Sequence, residues 1–230
     1  ILIQDLLTGS LCLAFIKASM EQTRVLHVIG RMNIGGTATY ISNLIDGLQD
    51  FDIECALATG SVPKGETEDA VVESLPHFRV KKLSREINPI ADSMALSSLN
   101  RIIEDFRPHI IHSHTFKAGL LTRLVRRDIP IIHSFHGHHL YDPEFGFMKL
   151  KVLNLIEKFL IKRTRKAVTI GTRVRDELLE AGIGSEDKYV SIAPGIKDES
   201  DSCLVDVRKK FGIEEEETVV VWMGRFTQVK

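Results

Sequence analysis

Arg24–Leu48 reads RVLHVIGRMNIGGTATYISNLIDGL. It opens with an apolar run, Val25-Leu26-His27-Val28-Ile29, of a length that suits one buried strand. Gly30 ends the run, and a short turn closes on Gly35-Gly36. Beyond Thr37, the residues Tyr40, Ile41, Leu44, Ile45 and Leu48 recur at helical spacing. A strand that passes through a glycine turn into a helix builds an anion site. The helix start presents unpaired N–H groups and a partial positive charge, and the two glycines let backbone approach the ligand closely. Phosphate is the expected guest. The turn is neither G-x-G-x-x-G nor a P-loop ending in Gly-Lys-Ser/Thr, so dinucleotide and nucleoside-triphosphate readings lack their usual support. A plain tight βα turn is the alternative.

The 230 residues hold 30 basic and 31 acidic side chains, a net charge of −1, which gives no global argument for nucleic acid. At 43% hydrophobic and 27% charged, the composition is that of a globular protein able to bury a core. Cys12, Cys55 and Cys203 lie far apart with no C-x-x-C, as expected in a reducing compartment without a disulfide framework. Met20 directly precedes the first strand, so residues 1–19 are expected to stand outside the fold as a leader or upstream translation. The apolar stretch Leu11–Ile16 is too short and too interrupted for a membrane anchor.

Strands and helices alternate down the chain. Strands are expected at Ile53–Thr59, Phe78–Leu83, Ile110–His112, Pro130–Phe135, Ala167–Ile170 and Tyr189–Ile192. Helices are expected at Glu68–Leu75, Asp92–Phe106, Lys117–Arg127, Met148–Lys166 and Arg173–Ala181, the last capped by Gly182. That alternation predicts an α/β fold, a Rossmann-like parallel sheet with helices on both faces. Ile196–Ser202 reads as a polar linker, Asp206–Phe211 as a helix capped by Gly212, and Val219–Met223 as the first strand of a second, truncated α/β domain. Such a strand should be poorly buried.

Histidines concentrate in one region: His109, His112, His114, His133, His136, His138 and His139. His112 and His114 sit two apart on a strand and so share a face, and strand carboxyl ends form the ligand crevice of a doubly wound sheet. Three readings stand: a metal site, hydrogen bonding to a hydroxylated or phosphorylated ligand, or ordinary loop histidines. The metal reading is weakened by the absence of H-E-x-x-H and by carboxylates limited to Asp142 and Glu144. Helix Met148–Lys166 sets Lys149, Lys151, Lys158, Lys162, Arg163, Arg165 and Lys166 against the lone acid Glu157. It is read either as a packed helix with a basic face or as a peripheral contact with anionic lipid. At the chain's end Arg225 and Lys230 stand five apart, both natural partners of a diphosphate.

Together these pieces resemble glycosyltransferase family 4, the retaining nucleotide-sugar enzymes of the GT-B fold. Asn33-Ile34-Gly35-Gly36 resembles the family's glycine loop, Ile110–His114 its strand ending in histidine, and Ser134-Phe135-His136-Gly137 its His-Gly segment. Val190–Ile196 resembles the interdomain segment, with Pro194 where Asn is usual, and Gly224-Arg225 through Lys230 the Gly-Arg-x4-Lys. The resemblance implies that residues 20–195 form the acceptor-side domain and that residues 196–230 form a linker and the start of the nucleotide-sugar domain. It implies transfer from a UDP- or GDP-sugar to an acceptor hydroxyl, without a metal at the centre and without a cofactor. Arg225 and Lys230 would hold the donor phosphates, and His136 would contact the transferred sugar or the acceptor. Gly35, Gly36, His114 and Gly195 would line the donor-phosphate or acceptor site. The family's paired glutamates would lie beyond Lys230, so residues up to 230 are expected to be inactive alone. Two other classes remain open: a sugar-nucleotide epimerase of the same fold, and a non-catalytic acceptor- or membrane-binding module. The expected setting is cytoplasmic, with possible attachment to the inner face of the membrane through residues 148–166.

Overall fold

The computed structural model describes residues 22–84, 87–125, 128–137, 146–196 and 206–222. Seven parallel strands form one sheet: β1 (Thr23–Ile29), β2 (Ile53–Thr59), β3 (His77–Arg79), β4 (Ile110–His114), β5 (Ile131–Phe135), β6 (Lys166–Thr169) and β7 (Tyr189–Ser191). Their order is β3-β2-β1-β4-β5-β6-β7. The chain therefore runs outward from β1 to β3, then returns to lay β4 on the other side of β1. That reversal is a topological switch point, where the carboxyl ends of neighbouring strands diverge and leave a crevice.

Helices cover both faces, as the alternation predicted. α1 (Gly36–Gln49) and α2 (Val71–Ser74) close one face, where Val25, Ile29, Cys55 and Leu57 meet Ile41, Ile45, Leu48 and Val72. α3 (Pro89–Phe106) and α4 (Phe116–Thr122) close the other, where Leu26, Val28, Ala58 and Ile111 meet Leu99, Ile103 and Leu121. α5 (Phe147–Leu160) and α6 (Thr172–Glu180) follow; Leu178 of α6 joins Phe135, Ala167, Ile183 and Tyr189 in a third cluster. Burial on both sides explains why β1 and β2 read as continuous apolar runs rather than alternating ones.

Boundaries differ where side chains reach the core by another route. The third strand is His77–Arg79 rather than Phe78–Leu83, because the chain turns at Val80 and Lys82 takes a φ of 65°. Val80 and Leu83 still reach the core, but from the turn, where the Leu83 N–H donates to the Val80 carbonyl at 3.3 Å. The helix expected over Glu68–Leu75 shrinks to α2: Glu68 forms a bridge to Asn33, and Asp69 Oδ1 accepts from Val71 N–H. α3 begins three residues early, at Pro89, since Asn88 Oδ1 accepts from Ile90 and Ala91 N–H, both at 3.1 Å. α4 ends at Thr122 instead of Arg127, tightening through 3₁₀-type bonds from Leu124 to Leu121 and from Val125 to Thr122. The helix expected to run to Lys166 stops at Leu160, passes through a 3₁₀ turn at Ile161–Arg163 and delivers Lys166 to β6. Gly182 caps α6 as expected, with φ 72° and Ile183 N–H on the Leu178 carbonyl. After α7 (Val207–Phe211), Val219–Trp222 form no strand. No neighbouring strand pairs with them among the described residues, and Val220 is 90% exposed. Residues 1–21 and 223–230 lie outside the described residues, and with them the expected leader. Among the described residues no helix is long and apolar enough to cross a membrane.

Candidate functional site

The crevice at the switch point is built from the ends of β1, β4 and β5 and from the start of α1. Gly35 caps α1 with φ 156°, a conformation side-chain-bearing residues rarely adopt, and no side chain caps this end. No acidic residue lies in the first turn. A Cβ on Gly36 would meet nothing within 4 Å, so this backbone faces open space. On the far side of the crevice Thr115, the residue after β4, is held at φ 66°, and its Oγ1 lies 3.7 Å from where a Gly30 Cβ would stand. A threonine in that region is strained, and such strain gathers at binding sites.

Histidine side chains line the wall beneath. Register places His27 of β1 beside His112 of β4, on the α1 face of the sheet, and His114 beside Ser134 of β5. His27 Nδ1 lies 3.2 Å from His114 Nε2, and His114 Nδ1 lies 3.1 Å from His136 Nε2. His112 Nε2 and Ser134 Oγ are 2.8 Å apart. Tyr40, from the first turns of α1, sets its ring edge against His136, with centroids 4.8 Å apart. Burial raises the Tyr40 phenol above its ordinary range, while a hydrogen bond with Ser134 works the other way. Burial pushes His27 down to about 3 and His136 down to about 4. It also holds His112 and His114 well below their ordinary value, helped by the neighbouring imidazoles. All four rings are therefore neutral at physiological pH.

That neutrality carries a pH prediction. The unfolded chain binds protons at these rings near pH 6.5, whereas the folded one does not until about 4 or 3, so stability rises with pH across that window. Stability is fully present above pH 6.5 and is lost as pH falls. Urea titrations are expected to show a loss of at least about 1.4 kcal/mol per pH unit between pH 6 and 4. A flat profile would mean that the rings are protonated in the native state.

The predicted residues divide by face and by strand. Gly35, Gly36, His112, His114 and His136 do gather at the switch point. His133 does not: it faces the α4 side, bonded to Ser113 Oγ at 2.9 Å and packed against Gly119. His109 lies at the opposite, amino end of β4, where Nδ1 accepts from Arg24 N–H at 3.0 Å. Gly195 is exposed beyond β7, four strand positions from β1, which is about 19 Å at ~4.8 Å per strand. Arg225, Lys230, His138, His139, Asp142 and Glu144 lie outside the described residues. Sequence reasoning gave no site role to His27 or Tyr40, and named Ser134 only as part of the His-Gly segment. The one available signal was the parity of His27 with Val25 and Ile29, which puts it on the face of α1.

His27, His112 and His114, all buried, each offer a ligand atom within 4.8 Å of the others. His114 already engages both ring nitrogens with neighbouring histidines, so ligation there would break one of those bonds.

A doubly wound parallel sheet with an uncapped glycine helix start at its switch point places the chain among the Rossmann-like α/β proteins. The profile of Glycosyltransferase Family 4 matches residues 34–200, and the chain belongs to that family. A UDP-Gal:alpha-D-GlcNAc-diphosphoundecaprenol alpha-1,3-galactosyltransferase of Escherichia coli is 29% identical over 109 residues, 46% of this chain and 28% of the relative. Sucrose-phosphate synthase of Thermosynechococcus elongatus superposes with TM-score 0.70 at 12% identity, over 90% of this chain and 57% of that one. A UDP-N-acetylglucosamine 2-epimerase superposes with TM-score 0.57 at 17% identity, over 74% of this chain and 48% of that one. The chain thus spans under two thirds of each, and the two structural likenesses speak to the fold alone.

Proposed function

We propose that the protein is a retaining glycosyltransferase that moves a hexose from a UDP- or GDP-sugar to an acceptor hydroxyl, in surface polysaccharide or glycolipid synthesis. The observation that carries this is the uncapped start of α1 at Gly35-Gly36, open to solvent, beside the partly exposed ring of His136. Backbone N–H groups at the helix start suit the donor diphosphate or an acceptor oxygen, and the imidazole suits a sugar hydroxyl. The galactosyltransferase relative, named for a UDP-sugar donor, supports the same reading. In this proposal Arg225 and Lys230 hold the donor phosphates and stabilise the charge that builds as the diphosphate leaves. His114 backs His136, and Gly195 belongs to the segment that joins residues 20–195 to a nucleotide-sugar domain beginning within 196–230. The nucleotide sugar is substrate, and neither metal nor cofactor takes part.

Because residues 1–230 are expected to be inactive alone, the test is incubation of the protein joined to the proposed nucleotide-sugar domain with UDP-Gal, UDP-Glc, UDP-GlcNAc and GDP-mannose, each with and without GlcNAc-diphosphoundecaprenol as a first acceptor. Nucleotide release that requires acceptor, with an α-linked product from an α donor, is the expected result. A β-linked product would remove retention. The fold shared with an epimerase makes a second outcome worth naming: conversion of UDP-GlcNAc to its C2 epimer without acceptor would replace the transferase reading.

Attachment to anionic lipid is part of the proposal. α5 exposes Phe147, Met148, Val152, Leu155 and Phe159, and the exposed Lys149, Lys151 and Lys162 lie on the same stretch. Each cation near an anionic surface adds about 1 kcal/mol, and the apolar side chains add interfacial burial. The protein would then act in the cytoplasm, peripherally on the inner face of the membrane. Co-sedimentation with phosphatidylglycerol vesicles, absent with phosphatidylcholine and weakened at least tenfold by Lys149→Glu with Lys151→Glu, is expected. Equal binding to both lipids would overturn it.

A further inference from the structure

Three imidazoles run in line from the interior of the sheet to the crevice, joined by the His27 Nδ1···His114 Nε2 and His114 Nδ1···His136 Nε2 contacts. Counting protons restricts this chain. A neutral imidazole carries one N–H, so His114 donates through one nitrogen and accepts through the other. If His27 donates into the chain, His114 donates to His136, and the His136 proton sits on Nδ1. If the chain runs the other way, all three protons sit on Nε2. Any mixed arrangement leaves one contact with two protons or with none. Burial keeps the three rings neutral, so no extra proton relaxes the count.

The inner end sets the direction. His27 Nε2 is buried and has no hydrogen-bond partner among the described residues. Run on Nε2, the chain would orphan an N–H in the core. Run on Nδ1, it leaves a bare lone pair there. Orphaned buried donors are the rarer case in folded proteins. Nε2 of His136 is engaged by His114, which leaves Nδ1 as the nitrogen for contact with a ligand.

We infer that His27, His114 and His136 form one tautomeric unit protonated on Nδ1 throughout, in which His27 and His114 are positioning residues and His136 Nδ1–H donates to a ligand oxygen. His136 is then a donor to phosphate, carbonyl or hydroxyl oxygen and cannot accept from a sugar hydroxyl through that atom. The identity of the ligand rests on the transferase reading, but the tautomers do not.

Long-range ¹H–¹⁵N spectra of the ¹⁵N-histidine-labelled protein, metal-free at pH 7, separate Nδ1–H from Nε2–H rings. All three rings are expected in the Nδ1–H form, and an Nε2–H pattern at any of them overturns the inference. His114→Gln removes the link, so His136 is expected to lose its single-tautomer pattern; an unchanged His136 in a folded variant removes the positioning role. The native spectrum decides the matter even if that variant fails to fold. One equivalent of Zn²⁺ is expected to leave the spectrum unchanged, and displacement of His27, His112 and His114 together would put a metal centre in place of the chain. Finally, UDP-Gal is expected to shift His136 Nδ1. No shift from any of the four nucleotide sugars would refute the ligand contact and weaken the donor reading, whereas the tautomer pattern without ligand tests the chain alone.

Discussion

Glu157→Leu is expected to destabilise the protein by about 3–5 kcal/mol, measured as a drop in the urea midpoint. Arg123, just past α4, has no exposed side-chain surface and meets Glu157 of α5 through two bonds, Nη1 to Oε2 and Nη2 to Oε1, both 2.9 Å. Its Nε donates to the Gly119 carbonyl at 2.8 Å, and the Arg163 guanidinium in turn reaches the Arg123 carbonyl at 3.2 Å. The pair is therefore held on every side, and removing the carboxylate leaves a guanidinium buried without its counter-charge. An unpaired buried charge is the costly state, more than the loss of the attraction itself. Arg123→Met with Glu157→Leu should consequently recover most of the loss, since an apolar pair of similar volume is often neutral. A single-variant loss below about 1 kcal/mol would mean that water reaches the pair and screens it.

In the protein joined to the proposed nucleotide-sugar domain, Gly36→Ala is expected to lower kcat/KM by about 10²-fold while leaving the melting temperature unchanged or slightly raised. The new methyl meets no protein atom within 4 Å, and alanine suits a helix better than glycine, so the fold has no reason to suffer. The methyl instead stands where a diphosphate or acceptor oxygen would approach the backbone. Gly60→Ala is the instructive contrast. Its Cβ would lie 2.1 Å from the Leu83 carbonyl oxygen and 2.5 Å from that of Gly30, so backbone must move and stability falls. Unaltered turnover in a folded Gly36→Ala protein would remove the glycine start from the ligand site.

Gly60 also shows what local sequence does not reveal. It stands just past β2, ahead of an exposed loop. It is in fact buried where β2 passes between two carbonyls, a close approach between segments that are not neighbours in the chain. Glu157 is the opposite case. A single acid in a basic helix was visible in the sequence, but its partner lies 34 residues earlier, and nothing local pointed to Arg123.

The βα unit at Arg24–Leu48, the parallel sheet and its two covered faces follow from short-range rules: apolar run length, helical spacing, capping and turn residues. Those rules act over a few residues, which is why element types were legible while the ends of α4, α5 and β3 were not. The histidine chain belongs to another order of cause. His27 meets His114 across 87 residues and His114 meets His136 across 22, and both meetings depend on β4 entering the sheet between β1 and β5 in one register. A slip of one residue in either pairing would turn these rings to the opposite face. Local sequence thus determined which elements form and that a strand–glycine turn–helix unit opens the sheet. Only the tertiary structure decided which imidazoles share a hydrogen bond, because strand order and register are set by the packing of the whole sheet.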